Sequence, residues 1–404
     1  MYTPIVGATC HPRGIGQFRL APYHRCVITA ASIAPTSDSY DRSLPDGWTS
    51  RFAPLASAAF DTWFSAELTA MAGEVADAIG PSFSGLVLGG GYGRGEGGIV
   101  VRSGVERPYN DVDLFLFAER PRRVPTAALG AISARYHRRL GVDVDFSRPY
   151  RPSEIAAWRP TLMWHELAAG HVVLKGPASL VDHLCPPIVR EAPPATEALR
   201  LLLNRGAGLL WALRVMYGCE PAPDPDFVRR NYYKCLLGCG DALLIAHRAY
   251  GRSFVSRIDR LKALPAASLG ANRAALLEGY EAARQFKLSP DSAEPGPPSI
   301  RRLKDAAALW SEALLTVEWV RTGRPWPSVS AYNARSGVRE SGSATAGERL
   351  RHLARNFRDG QLAAYHPREP LYRQLPALLT VPPRDTTTWP HESARFLNRW
   401  RAAH

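Results

Sequence analysis

Three observations make this 404-residue chain an α+β protein, a small mixed sheet followed by an all-α half. Between residues 54 and 192, apolar runs of strand length alternate with segments of helical period. Aspartates stand two residues apart on two of those runs. Beyond Pro193-Pro194 the segments are long, rich in Ala, Leu and Arg, and helical in period. The expected organisation is a poorly ordered leader over 1–53, the sheet-bearing unit over 54–192 and a helical domain over 193–404.

Taken in order, residues 1–50 mix Pro, Gly, Ser and isolated aromatics without period, and no chemistry is assigned there. From Pro54 to Ile79, Leu55, Phe60, Trp63, Phe64, Leu68, Met71, Val75 and Ile79 recur near the helical period, and Gly80-Pro81 ends the helix. Gly85-Leu86-Val87-Leu88 reads as a strand running into a glycine cluster. Residues 99–105 resemble a β-hairpin, which would serve either as a substrate lip or as a plain surface excursion. Residues 112–117 form a second strand, Thr126–Leu140 a helix, and the alternation Val142-Asp143-Val144-Asp145-Phe146 a third strand. A helix carrying Ile155, Trp158, Leu162, Met163 and Leu167 then leads to a short strand over 171–176. The helical half reads as 196–217, 226–250, 271–287 and 300–322, with loops over 288–299 and 323–346.

Composition narrows the function classes. With 46% hydrophobic and 22% charged residues the chain is of ordinary globular make-up. No apolar run approaches the ~20 residues that span a bilayer, so no membrane partner is expected. The six cysteines (Cys10, Cys26, Cys185, Cys219, Cys235, Cys239) include no CxxC pair and read as reduced, mostly buried thiols of a cytoplasmic protein. The net charge of +13 would suit a polyanion. The basic residues are nevertheless dispersed, with no basic and aromatic platform, so a nucleic-acid partner is not favoured. His137, His165, His171 and His183 lack ligand spacing and read as surface or helix-end residues.

One constellation carries chemistry: Gly89-Gly90-Gly91-Tyr92-Gly93-Arg94-Gly95-Glu96, then Asn110-Asp111-Val112-Asp113, then Asp143 and Asp145. A glycine-rich turn after a strand lets backbone N–H groups close on phosphate oxygens, because no Cβ intervenes. Aspartates at i and i+2 on a strand point to one face, so Asp111 and Asp113 can reach one cation, and Asp143 and Asp145 repeat the geometry. Hard Mg²⁺ takes such carboxylates together with phosphates and water.

In this order the motifs resemble the DNA polymerase beta type nucleotidyltransferase superfamily. The run Gly90 to Glu96 with the following Asn-Asp-Val-Asp-Leu-Phe is most similar to bacterial PII-protein uridylyltransferases and related small nucleotidyltransferases, over roughly residues 85–147. The resemblance implies that the turn Gly90, Gly91, Tyr92, Gly93, Arg94 and Gly95 lies against a nucleoside triphosphate. It implies that Asp111 and Asp113 bind two Mg²⁺ ions (or Mn²⁺), and that Asp145 or Asp143 completes the metal site and activates an acceptor hydroxyl on a small molecule or protein. Many relatives carry Ser where this chain has Gly91. The His-Asp pair of the regulatory enzymes' phosphohydrolase domain does not occur, so the full regulatory enzyme is not expected.

Members of this superfamily commonly hold the triphosphate with a basic residue from a following helical domain, and Lys234 is the candidate here. Lys234, Asp241 and Arg248, seven apart on one helix face, would equally make a buried salt-bridge line. The competing functional reading is a non-catalytic nucleotide-binding or antitoxin-like module of the same fold.

Overall fold

The larger sheet among the described residues is mixed and four-stranded. The described residues of this computed structural model are 50–157, 160–184, 192–251, 253–334, 346–358, 364–380 and 388–403. The first of the elements, α1 (Ala58–Ile79), begins where the Ser57 hydroxyl accepts the Phe60 N–H and ends at Gly80, φ 65°. Strand β1 (Phe83–Leu88) runs into a single helical turn, α2 (Gly90–Gly93). A hairpin, β2 (Ile99–Arg102) and β3 (Val105–Pro108), follows, turning at Ser103 and Gly104, both with positive φ. Then come β4 (Val112–Ala118), α3 (Thr126–Leu140), β5 (Val144–Phe146), α4 (Leu162–Ala169) and β6 (Val172–Lys175). Strand β1 is antiparallel to β4 and β6, whereas β5 lies parallel to β4 with Asp113 opposite Asp145.

Alternation along β1 and β4 divides two cores. Leu86, Leu88, Val112, Leu114 and Leu116 face α1 and α3. Val87, Phe115 and Phe117 face the other way, onto Trp164 and Leu167 of α4 and onto Tyr150. The helical half comprises α5 (Ala195–Met216), α6 (Phe227–Ala246), α7 (Arg257–Ala263), α8 (Arg273–Leu288), α9 (Ile300–Thr322), α10 (Val329–Ala334), α11 (Ala346–Arg358), α12 (Glu369–Thr380) and α13 (Trp389–Ala402). Its core is continuous, with Leu202, Leu209, Leu243, Tyr280 and Trp310 among the most buried members.

Several sequence expectations need correction. Residues 50–53, assigned to the leader, are structured: the Ser50 hydroxyl donates to Asp61, and Phe52 is 2% exposed, edge-on to Phe64. Residues 1–49 lie outside the described residues, as do Cys10, Cys26 and Cys185. The third strand begins at Val144, so Asp143 precedes it. The helix expected after Pro152 is instead a 3₁₀ turn over Pro152–Ala157 and then α4, because Pro160 has no N–H to continue a helix. Helix α6 ends at Ala246, leaving Arg248 outside it in a left-handed conformation. The loop 323–346 contains α10. His165 is buried, not at the surface.

The two halves of this unit are joined by a buried charge cluster. Arg94 Nε lies 3.0 Å from Glu96 Oε2, and its Nη1 3.5 Å from Glu166 Oε2 on α4. Arg257 of α7, 2% exposed, reaches Glu166 at 3.4 Å and Asp241 of α6 at 3.5 Å while stacking over the Tyr250 ring. Glu166 also accepts from the Tyr250 hydroxyl, and Glu96 from the Phe254 N–H. Burial alone would raise the Glu166 pKa; the guanidinium groups of Arg94 and Arg257 and the Tyr250 hydroxyl hold it down at about 2. Lys287 of α8 sits over the Phe254 ring at 3.8 Å, its pKa lowered by burial to about 8 against the pull of Glu96.

A buried ion pair adds little net stability, but removing one partner strands the other. Arg257→Met leaves Glu166 and Asp241 without their shared cation and is expected to cost ~3–5 kcal/mol, measured by urea unfolding followed by circular dichroism.

Candidate active site

The site begins at the end of β1. Gly89 N–H donates to the Asp113 carbonyl at 2.9 Å, tying the turn to β4. Gly90 follows with φ 59°, and a Cβ there would stand 1.9 Å from Asp113 Oδ2. Glycine is therefore required at 90 by backbone conformation and by contact with the carboxylate. Gly91 is different: the nearest atom to a Cβ there is the Glu96 carbonyl at 3.4 Å, so the position has room for a serine side chain.

Asp111 stands just before β4 and Asp113 is its second residue, and the parallel pairing of β5 brings Asp145 beside Asp113. One carboxylate oxygen from each of Asp111, Asp113 and Asp145 lies within 4.8 Å of the other two. Asp143 lies apart, its carboxylate largely solvent-exposed and 3.2 Å from His137 Nδ1. The choice between Asp143 and Asp145, open in the sequence, falls to Asp145 on geometry.

Three clustered carboxylates are electrostatically costly. Burial, then the charge of Asp111, raises the Asp113 pKa from 3.8 to about 7, with Arg94 pulling the other way. Asp145 is raised as well, by burial and then by Asp111 and Asp143. The oxygen-only donor set, its spread and the repulsion that remains fit a hard divalent cation. The three residues could hold one.

Countercharge comes from the helical half. Burial lowers the Lys234 pKa against the pull of Asp111, and both Asp113 and Asp145 feel its charge. Arg205 of α5, which the sequence reading missed, lies against α6 at Gly238, one turn from Lys234, and its charge reaches the Lys234 ammonium. Among the described residues, neither the Lys234 nor the Arg205 side chain makes a hydrogen bond or an ion pair. Asp241, by contrast, is held by Tyr280 and Arg257. The expected line Lys234–Asp241–Arg248 thus divides into a residue facing the carboxylates, a residue of the buried cluster and one past the helix end. Nothing in the sequence around Arg205 marked it among forty-five arginines; only the packing of α5 on α6 does so.

The rest of the glycine-rich turn is divided between site and scaffold. Tyr92 is buried in the core, its hydroxyl donating to the Gly98 carbonyl at 2.6 Å and accepting from the Tyr109 N–H at 2.9 Å. It shapes the turn from behind. Gly93 approaches the Leu88 carbonyl, where a Cβ would be 2.4 Å away, and Gly95 adopts φ 73°. Arg94 lines a cleft of about 540 Å³ together with Gly90, Asp113, Glu166 and, from α5, Arg200 and Asn204. That volume suits a nucleoside-sized or other small ligand. The guanidinium of Arg94 is already shared by Glu96 and Glu166, so it enters the cleft fixed in place.

No family model matches the chain, and no curated protein matches it.

Because the folded protein raises the Asp113 pKa above its unfolded value, ionising this group destabilises the metal-free fold increasingly from about pH 4 up to about pH 7. Asp113→Asn is expected to raise the melting temperature of the metal-free protein by roughly 2–4 °C near pH 8, and by nothing resolvable near pH 4, in thermal scans with chelator present.

Proposed function

We propose that this protein is a divalent-metal-dependent nucleotidyltransferase that moves a nucleoside monophosphate from a nucleoside triphosphate to an acceptor hydroxyl, releasing pyrophosphate. The observation that carries this reading is the convergence of Asp111, Asp113 and Asp145, drawn from two strands, against a glycine that only fits without a Cβ. The charge of Lys234, which reaches Asp113 and Asp145 from the helical half with Arg205 beside it, and the cleft beside Asp113 support it.

Asp111, Asp113 and Asp145 would hold Mg²⁺, which when bound would supply charge neutralisation at the reacting phosphoryl group. The residues of the chain do the remainder. The triphosphate lies in the cleft against the backbone of Gly90 and Gly91, with Arg94 fixed at the wall. Lys234 and Arg205 neutralise phosphate oxygens as charge passes to the leaving pyrophosphate. Asp145, the most exposed of the three carboxylates and raised in pKa, takes the proton of the attacking hydroxyl. A bond forms from the acceptor oxygen to the α-phosphorus, the bond from the α-phosphorus to the bridging oxygen breaks, and its electron pair leaves with pyrophosphate. The acceptor is read as a small molecule or a protein side chain.

Clarified cell extract with each of the four α-³²P nucleoside triphosphates and Mg²⁺ tests the proposal. The wild type is expected to place label on an extract component, and Asp111→Asn or Asp113→Asn to place none while keeping the wild-type circular dichroism spectrum. Lys234→Met and Arg205→Gln are each expected to lower kcat/KM for the nucleotide about 10- to 100-fold, the range of one charged hydrogen bond. No transfer by the wild type, with nucleotide binding unchanged in Asp111→Asn, would favour the non-catalytic binding module instead.

A further inference from the structure

Helix α11 is packed the opposite way from an ordinary surface helix. A helix on a globular protein normally turns its apolar stripe to the core and its charged side to water. In α11, Leu350, Leu353 and Phe357 occupy positions i, i+3 and i+7, one stripe at 100° per residue, and are 67%, 36% and 66% exposed. The residues that touch the rest of the protein are polar. Asn356 is 2% exposed and donates from Nδ2 to the Tyr365 carbonyl at 2.8 Å, and the His352 ring packs edge-on against His366. Arg355 donates to the Ala402 carbonyl. A 13-residue helix is marginal by its own propensity, and among the described residues nothing covers its apolar face, which is exposed at Leu350 and Phe357.

The borders of the stripe say what covers it. Arg349 and Arg351 flank Leu350, at about 100° to either side, and both are exposed. The one acidic residue of the helix is Glu348. A second copy of the same helix would set arginine against arginine, so self-association through this face is electrostatically opposed. Cations on both borders of an apolar strip suit a flat anionic face, in which the apolar side chains enter and the guanidinium groups remain at the charged level. The net charge of +13 adds long-range attraction to such a face. No helix among the described residues is long and apolar enough to cross a membrane, but a helix that lies in the interface needs neither length nor continuous apolarity. We propose that the apolar face of α11 docks on an anionic lipid surface.

Flotation of the full-length protein with vesicles tests this, comparing phosphatidylcholine alone with an equal mixture of phosphatidylcholine and phosphatidylglycerol. Partition onto the anionic vesicles is expected and onto neutral ones is not. Arg349→Gln/Arg351→Gln should weaken the anionic partition about 30-fold. Leu350→Glu/Phe357→Glu should abolish it, with an unchanged melting temperature showing that the fold is intact. Three results would overturn the proposal. One is absence of partition onto either vesicle, which leaves the face to a protein groove. Another is undiminished binding by the Leu350→Glu/Phe357→Glu variant, which means adhesion by net charge alone. The third is a sedimenting dimer that this variant dissociates, which means that a second copy covers the face.

Discussion

Mutual repulsion among Asp111, Asp113 and Asp145 is the constraint around which this protein is arranged. Three carboxylates do not collect within 4.8 Å of one another unless the backbone compels them. Here the compulsion comes from the register of two parallel strands, which sets Asp145 opposite Asp113, and from a two-residue period that adds Asp111. Each neighbouring feature answers that concentration of charge. Gly90 clears space for one carboxylate oxygen, the hydrophobic layers on both faces of the sheet keep the strands from relaxing apart, and the Lys234 ammonium acts on the carboxylates from another region of the chain. Stability is given up locally where the three carboxylates are gathered.

The buried ionic cluster explains how the helical half keeps its place in that arrangement. Arg94 and Glu96 belong to the glycine-rich turn, Glu166 to α4, Asp241 to α6, Arg257 to α7 and Lys287 to α8. Three cations and three anions from these elements share one water-poor region between the sheet and the helices. Such pairings contribute less to net stability than apolar packing would, but they are directional. Misplaced helices would leave charges unmatched, so the cluster selects the orientation that also sets Lys234 before the carboxylates.

Much of this was legible in the sequence because its signals are local. The apolar period from Phe60 to Val75 gives α1, the alternation around Asp113 and Asp145 gives two strands, and Gly80 and Gly141 end helices where left-handed or extended geometry is needed. The carboxylates were visible for the same reason, since strand geometry alone puts i and i+2 on one face. What escaped notice depends on contacts remote in sequence. The pairing of β4 with β5, not any property of either strand alone, separates Asp145 from Asp143. Tyr92 looks like part of a phosphate loop until its hydroxyl is found between Gly98 and Tyr109. Arg205 became visible only through α5 packing on α6. The role of Arg94 in bridging Glu96 to Glu166, seventy residues apart, could not be read from neighbours in the chain.

The long-range closure of the site has a consequence for its biosynthesis. Strand β1 needs β6, which emerges from the ribosome some eighty residues later, and Glu96 waits longer still for Phe254 and Lys287. Until α8 has been made, Glu96 and Glu166 lack part of their complement of positive partners, and the glycine-rich turn has nothing to fix it against the helices. The carboxylate-bearing end of the sheet therefore matures late in synthesis, after its residues have long been outside the tunnel. Cleavage between the sheet-bearing unit and the helical half would separate two pieces of one site, not two independent domains.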